Sequence, residues 1–240
     1  MTKKKARPID LYFWTTPNGY KISIALEELG LPYVAHPVNI ARGEQFQPEF
    51  LAISPNNKIP AIVDPAGPGG RPVAIFESGA ILHYLARKSG KLRGRGKRGR
   101  ILVDQWLFWQ VAGLGPMAGQ AHHFRNYAPE KIAYGIDRYT NEVARLYGVL
   151  DRQLADRDFI ADTYSIADIA AYPWVRLWRN QGQNIDDFPH VKAWLERVGA
   201  RPAVVRGLEV GQDYARQPVD LSKDEEAQKI LFGNKPKRQT

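Results

Sequence analysis

Strand and helix signals are segregated along this chain, and that division constrains the fold more than any other feature. In the first 90 residues short β-type runs alternate with helical ones. Ile9 to Trp14 (IDLYFW) is a short, aromatic-rich strand pattern, closed by the turn residues Thr16-Pro17-Asn18-Gly19. Ile22, Ile24, Ala25, Leu26 and Leu29 then recur at helical spacing, and Gly30 marks a stop. Pro32 to Val38 reads as a second strand and Phe46 to Ile53 as a short helix. Ile59 to Asp64 is a third strand with Pro60 near its start, and Pro65 to Pro72 is a glycine- and proline-rich turn. Val73 to Phe76 is a fourth strand, and Ser78 to Lys88 is helical with Ile81, Leu82 and Leu85 on one face. The order is β-α-β-α-β-β-α. A β-α-β unit favours parallel neighbours, and a late β-β pair favours a hairpin.

Beyond the basic stretch Lys91 to Arg100 (KLRGRGKRGR) the strand signals fade. Ile101 to Phe124 is a long apolar helix pattern, with a kink expected near Gly113-Leu114-Gly115-Pro116. Ile136, Tyr139, Val143, Leu146, Tyr147 and Leu150 place a second helix over Ile132 to Leu154. A third starts at Ser165, a fourth spans Pro189 to Val198, and a fifth follows Pro202. At the third, Ser165-Ile166-Ala167-Asp168 fits a capping box, with Asp in place of the usual Glu, so Asp168 reads as structural rather than catalytic. The expected architecture is α/β plus all-α: a thioredoxin-like domain over 9–90 and a helical bundle over 98–215, with tails at 1–8 and 216–240.

The chain has 240 residues and no cysteine. Disulfides, thiolate metal sites and a protein cysteine nucleophile are therefore excluded, and no metal site is expected. Any thiol chemistry must use a thiol that arrives as a ligand. The net charge of +9 is concentrated in the Lys3 to Arg7 start, the Lys91 to Arg100 stretch and the Lys235 to Arg238 end. Short basic blocks of this kind read as solvated tails or linkers, so a nucleic-acid role is not favoured. No apolar run approaches the roughly 20 residues of a membrane span. The N-terminal basic residues are followed by a strand and a turn rather than a signal-peptide core, so a cytoplasmic location is expected.

Three segments combine residue types that bear on chemistry. Thr16-Pro17-Asn18-Gly19 joins a strand to a helix. Its plain reading is an N-cap with proline at the first helical position. The same geometry presents free N–H groups and a positive dipole end, which lower the pKa of a thiol placed there. The Thr16 hydroxyl and an Asn18 donor would add hydrogen bonds to the sulfur. In Asn57-Lys58-Ile59-Pro60, a cis Ile59-Pro60 bond would turn the Ile59 backbone outward to pair with an extended peptide, whereas a trans proline is only a strand start. In Phe76-Glu77-Ser78-Gly79, Ser78 is either an N-cap or a carboxylate ligand, with Glu77 beside it for an ammonium group. Together these suit a short zwitterionic thiol peptide.

The strand, the Thr-Pro-Asn-Gly turn, the Ser54 to Ile62 run (SPNNKIPAI) and the Glu77-Ser78 pair resemble the N-terminal half of glutathione transferases. Trp106 to Gln110 (WLFWQ), Gly113 to Met117 (GLGPM), Gly119-Gln120 and His122-His123-Phe124 narrow the resemblance to the nu-class, or yeast nitrogen-regulator-like, bacterial proteins. Tyr164 to Asp168 matches the family's helix-capping segment. The resemblance covers about residues 9 to 215 and implies glutathione as co-substrate. It places Thr16 and Asn18 at the glutathione sulfur, Gln45 at the glycine end, and Lys58, Ile59 and a cis Pro60 at the cysteinyl backbone. Glu77 and Ser78 then hold the γ-glutamyl end, and Arg138 reaches the ligand from the helical domain. Tyr12 reads as packing. His122, His123 and Phe124 read as pocket wall, because adjacent histidines on a helix diverge and make a poor metal pair.

The implied activity is reduction of a small disulfide by two glutathione thiols, giving glutathione disulfide, with hydroperoxides as further substrates. A conjugating or ether-cleaving transferase and a non-enzymatic regulator on the same scaffold are the alternatives. The resemblance also implies a homodimer and no membrane partner.

Overall fold

The computed structural model describes residues 7–214 and 223–233. Four strands, β1 (Ile9–Phe13), β2 (Tyr33–Pro37), β3 (Ala61–Asp64) and β4 (Val73–Phe76), form one sheet in the order β2-β1-β3-β4. β1 runs parallel to β2, while β3 is antiparallel to both β1 and β4. This is the mixed sheet expected from the β-α-β unit and the late hairpin. α1 (Pro17–Leu29) makes the crossover, α2 (Pro48–Leu51) precedes β3, and α3 (Ser78–Ser89) follows β4. Along β1 the alternation is strict, with Ile9, Leu11 and Phe13 buried and Asp10 and Tyr12 less so, as the two-residue period of a strand requires.

The helical half contains α4 (Gly96–Trp109), α5 (Gly115–His122), α6 (Ala133–Leu154), α7 (Ile166–Val175), α8 (Pro189–Gly199) and α9 (Pro202–Glu209). The interruption expected near Gly113 is a π-helical turn over Gln110–Leu114, so α4 runs into α5 without leaving the helix. A second π turn, His123–Tyr127, ends α5. The basic stretch is divided: α4 begins at Gly96, and before it Leu92 and Gly94 take left-handed conformations, with φ of 60° and 73°. The Leu92 carbonyl accepts from Ile166 N–H at 3.0 Å, which ties this linker to the start of α7.

Asp168 has the structural role expected of it. Its carboxylate accepts from Ile160 N–H (3.0 Å), Ser165 N–H (3.0 Å), Ser165 Oγ (3.2 Å) and Trp194 Nε1 (2.9 Å). The capping box is complete, and Ser165 Oγ also accepts from the N–H of Ala167 at 3.2 Å.

α1 is the axis of the molecule. It is buried at nearly every position from Gly19 to Leu26 and packs on β1, α3, α7 and α9, so one core crosses both halves. The approach of α9 is backbone-close. A Cβ on Gly207 would fall 2.6 Å from Ile24 Cα, and Ser23 Oγ donates to the Gly207 carbonyl at 2.7 Å. Arg201 adds a two-pronged ion pair to Glu28 (2.7 and 3.0 Å) and lies 3.7 Å over the Tyr164 ring.

Within the region read as a C-terminal tail, Glu225–Phe232 forms α10, capped by Asp224. It packs on the 3-10 turn Ile40–Arg42 that follows β2. Of the basic start Lys3 to Arg7 all but Arg7 lie outside the described residues, as do Lys235 to Arg238 and positions 216–222 of the tail.

Candidate active site

The sheet register assembles the site. Tyr12 pairs with Ala61, and Ala61 with Phe76, so these three residues form one row across β1, β3 and β4. The turn after β1 (Trp14 to Asn18), the residues before β3 (Ile59, Pro60) and those after β4 (Glu77, Ser78) therefore sit at the same end of the sheet. Parallel pairing of Phe13 with Pro37 brings the Val38 to Gln45 loop to that end as well.

Thr16 is the N-cap of α1, in extended conformation, and its Oγ1 accepts from Gly19 N–H at 3.2 Å. With its lone pair used on the helix, the hydroxyl hydrogen is free to donate outward. Pro17 has no N–H, and Tyr20 N–H goes to the Thr16 carbonyl at 3.0 Å, so the amide of Asn18 is the donor left over at this helix start. Glycine at 19 is obligatory, because a Cβ there would lie 2.2 Å from the Trp14 carbonyl oxygen.

Asn18 is oriented by a residue that sequence reasoning missed. Trp174 Nε1, from α7, donates to Asn18 Oδ1 at 2.9 Å across the two halves. Its amide NH2 must then point the other way, as a donor. Built Cβ atoms on Gly115 and Gly119 of α5 would lie only 3.7 and 3.4 Å from the Trp174 ring, so both glycines leave it room. Buried His122 packs edge-on against that ring at 5.8 Å, and burial lowers its pKa, partly offset by a hydrogen bond to the Leu177 backbone.

Ser78 and Glu77 open α3. Glu77 has φ of 68°, a left-handed conformation costly for a non-glycine residue. Its carboxylate accepts from Asn56 Nδ2 at 3.3 Å, which connects it to the loop holding Lys58, Ile59 and Pro60. The Ile59-Pro60 bond is cis, Pro60 is buried, and Lys58 is exposed. Ser54 Oγ holds the Lys58 carbonyl at 2.9 Å.

Beneath Ser78 lies Lys21, a second residue missed from sequence and only 2% exposed. Its ammonium donates to Gln110 Oε1 (2.7 Å) and Ser78 Oγ (3.4 Å). Burial pulls its pKa down to about 7, while the Glu77 charge acts in the opposite direction. Gln110 is fully buried in the first π turn, and its Nε2 has no hydrogen-bond partner among the described residues.

The remaining residues are more dispersed. Gln45 is buried, with Nε2 on the Ile40 carbonyl (3.1 Å) and its Oε1 unpaired among the described residues. Arg138 pairs along α6 with Glu142 at 3.9 Å and is half exposed. The adjacent histidines diverge as expected: His123 packs against Phe124 (5.3 Å) and Phe232 of α10 (4.7 Å). Phe124 stacks on Tyr139 at 5.3 Å. α10 thus reaches from the loop after β2 to the helical wall, with Arg42 paired to Asp224 (3.8 Å) and Glu226 (3.4 Å). Tyr12 stacks on His36 at 5.1 Å and packs against the Val38–Phe50–Ala61 cluster, away from the α1 start.

The comparisons with known proteins agree with this architecture. Residues 16–88 match the model for the glutathione S-transferase N-terminal domain, and residues 118–202 match that for the C-terminal domain. The disulfide-bond oxidoreductase YfcG of Escherichia coli (strain K12) is 53% identical over 203 residues, covering 83% of this chain and 94% of the relative. YghU of the same organism, also called a disulfide-bond oxidoreductase, is 39% identical and covers 97% of this chain and 85% of its own. A crystal structure of a Pseudomonas fluorescens pf-5 glutathione transferase family member with two glutathione molecules bound superposes with a TM-score of 0.81. It is 49% identical and covers 87% of this chain and 95% of its own. A Pseudomonas putida glutathione transferase with one glutathione disulfide per subunit gives 0.82 at 47% identity, covering 87% and 94%. The chain belongs to the glutathione transferase family.

Proposed function

We propose that this protein is a glutathione-dependent disulfide reductase whose reactive sulfurs both come from glutathione. One observation carries the reading. In a chain without cysteine, Thr16 and Asn18 direct two side-chain donors and a spare backbone N–H at the start of a buried helix. A thiol held there gains hydrogen bonds and the helix dipole, both of which favour its thiolate. Glu77 and Ser78 hold the γ-glutamyl end, the Ile59 backbone beside cis Pro60 pairs with the cysteinyl unit, and Gln45 and Lys58 hold the remainder. Arg138 reaches the ligand from α6, and His122, His123 and Phe124 contribute to the wall of the disulfide pocket.

The thiolate attacks one sulfur of a small disulfide, forming a mixed disulfide and expelling a thiolate that takes a proton from solvent. A second glutathione thiolate attacks the glutathione sulfur of that adduct. Glutathione disulfide forms, the other thiol leaves, and two electrons have passed from the two glutathiones to the substrate. The protein contributes a lowered thiol pKa and placement of the partners. The names of the two Escherichia coli relatives and the ligands in the two Pseudomonas structures support this reading. The reading includes weaker hydroperoxide reduction and a cytoplasmic homodimer, the latter tested by light scattering.

Steady-state rates with hydroxyethyl disulfide and with a chloronitrobenzene acceptor, both under saturating glutathione, test the reaction class. Disulfide turnover dominating supports reduction. Dominant conjugation assigns the site to the conjugating class instead, and glutathione binding without either reaction indicates a regulatory scaffold.

A further inference from the structure

Lys21 is a buried amine with no carboxylate in contact, and Glu77 is the nearby acid whose charge favours its ammonium form. Its ammonium has two neutral acceptors, Gln110 Oε1 at 2.7 Å and Ser78 Oγ at 3.4 Å, and among the described residues no carboxylate lies within ion-pairing distance. Charges this deep are ordinarily paired, because removing one from water costs several kcal/mol. The geometry indicates where the missing charge belongs. Ser78 Oγ accepts from Lys21, so its own hydrogen points away from Lys21, toward the mouth of the site at the start of α3. The first N–H groups of this 12-residue helix face the same way. Gln110 supports the ammonium from the helical half, and its own placement needs the gap at Gly115, where a Cβ would lie 3.0 Å from Gln110 Nε2.

We infer that Lys21 is a positioning residue for the α-carboxylate of the ligand's γ-glutamyl end, acting through Ser78. The ammonium orients and polarises the Ser78 hydroxyl and supplies, from below, the positive charge that a carboxylate on Ser78 requires. Glu77 alongside takes the α-ammonium group, so the cation and anion of the ligand meet an acid and a buried base in register. This inference rests on the proposed glutathione site and extends it by one layer.

The test is a cycle between protein and ligand. Calorimetry compares glutathione with γ-aminobutyryl-cysteinylglycine, which keeps the amine and lacks the α-carboxylate, on wild type, Lys21→Met and Lys21→Gln. Gln retains a donor for Ser78 but carries no charge. Wild type is expected to prefer glutathione by roughly 10- to 100-fold, the range for a charge-assisted hydrogen bond. In both variants the preference falls to about threefold or less, whereas a merely structural lysine would weaken both ligands equally and leave the ratio intact. An unchanged ratio, or a wild type that does not discriminate, overturns the inference. Where neither variant folds, wild type grown with isotopically labelled lysine decides. The buried ammonium signal shifts with glutathione but not with the analogue, and equal shifts overturn the inference. Ser78→Ala and Glu77→Gln separate the two levels. If both bind glutathione normally, the site itself is misplaced; if they lose it while the Lys21 variants keep the ratio, only the role of Lys21 fails.

Discussion

Trp174→Phe isolates how the helical half acts on the sheet-containing half, where glutathione is proposed to bind. The substitution keeps an aromatic ring beside His122 and the α5 glycines but deletes the 2.9 Å bond from Nε1 to Asn18 Oδ1. A net hydrogen bond of this kind is worth about 1 kcal/mol. Its specific consequence is orientational. With Trp174 present, Asn18 has its oxygen held inward and, in the proposed site, its NH2 toward the glutathione sulfur; without it, both flips become accessible. Losing about 1 kcal/mol of bias corresponds to a fall of roughly fivefold in kcat for glutathione-dependent disulfide reduction, with little change in glutathione affinity. The assay follows glutathione disulfide formation from hydroxyethyl disulfide for wild type, Trp174→Phe, Asn18→Ala and the double variant. In the Asn18→Ala background Trp174→Phe is expected to cost almost nothing, because the bond it removes is already gone. An equal loss of kcat in both backgrounds would refute the reasoning, since Trp174 would then act through packing alone.

Other outcomes follow from the same contacts. Asp168→Ala leaves the Trp194 indole N–H and the Ile160 and Ser165 amides unpaired in the core, so chemical denaturation should show a loss of about 3 kcal/mol or more while the glutathione Kd of the folded fraction is retained. Gly19→Ala forces a Cβ to 2.2 Å from the Trp14 carbonyl and should lower the midpoint of thermal unfolding by several degrees, together with loss of glutathione binding. Lys21 gives a pH signature. Its folded pKa of about 7 lies below the value of 10.5 for a free lysine, so between these limits the unfolded chain binds more protons and stability rises with pH. The stability of unliganded wild type relative to Lys21→Met should therefore increase from pH 7 to pH 9 by up to about 1.4 kcal/mol per pH unit, read by urea unfolding at each pH.

The elements near the site were legible because their signals are local. Thr16 to Gly19 carries the N-cap and first-turn proline of α1 within four adjacent positions, and Ser165 with Asp168 specifies the start of α7 in the same way. The parallel β1–β2 pair and the β3–β4 hairpin followed from the β-α-β unit and the late β-β pair, whereas the antiparallel β1–β3 pairing that joins them has no local signal. The partners that complete the site are not local. Trp174 lies 156 positions from Asn18 and Gln110 lies 89 from Lys21, distances at which periodicity carries no pairing information. A single lysine inside a helical pattern carries no signal that it is buried. Ile22, Ile24, Ala25 and Leu26 around it fall on several helix faces, however, which is the pattern of a helix buried on all sides. The first π turn was visible only as a glycine-rich interruption and the second, His123–Tyr127, not at all, since a one-residue widening of a helix leaves no periodic trace. α10 fell in a segment whose flanking charges read as tail, and its seat on the Ile40–Arg42 turn depends on side chains far from it in sequence.

In the proposed mechanism the Thr16 hydroxyl at the start of α1 makes a bound glutathione sulfur reactive. Ultraviolet titration of the thiolate of bound glutathione, in wild type and Thr16→Ala, measures this directly. The expected result is a thiol pKa well below the roughly 8.5 of a free cysteine in wild type and a rise of about one unit or more in Thr16→Ala. A bound thiol that titrates identically in both proteins would contradict it.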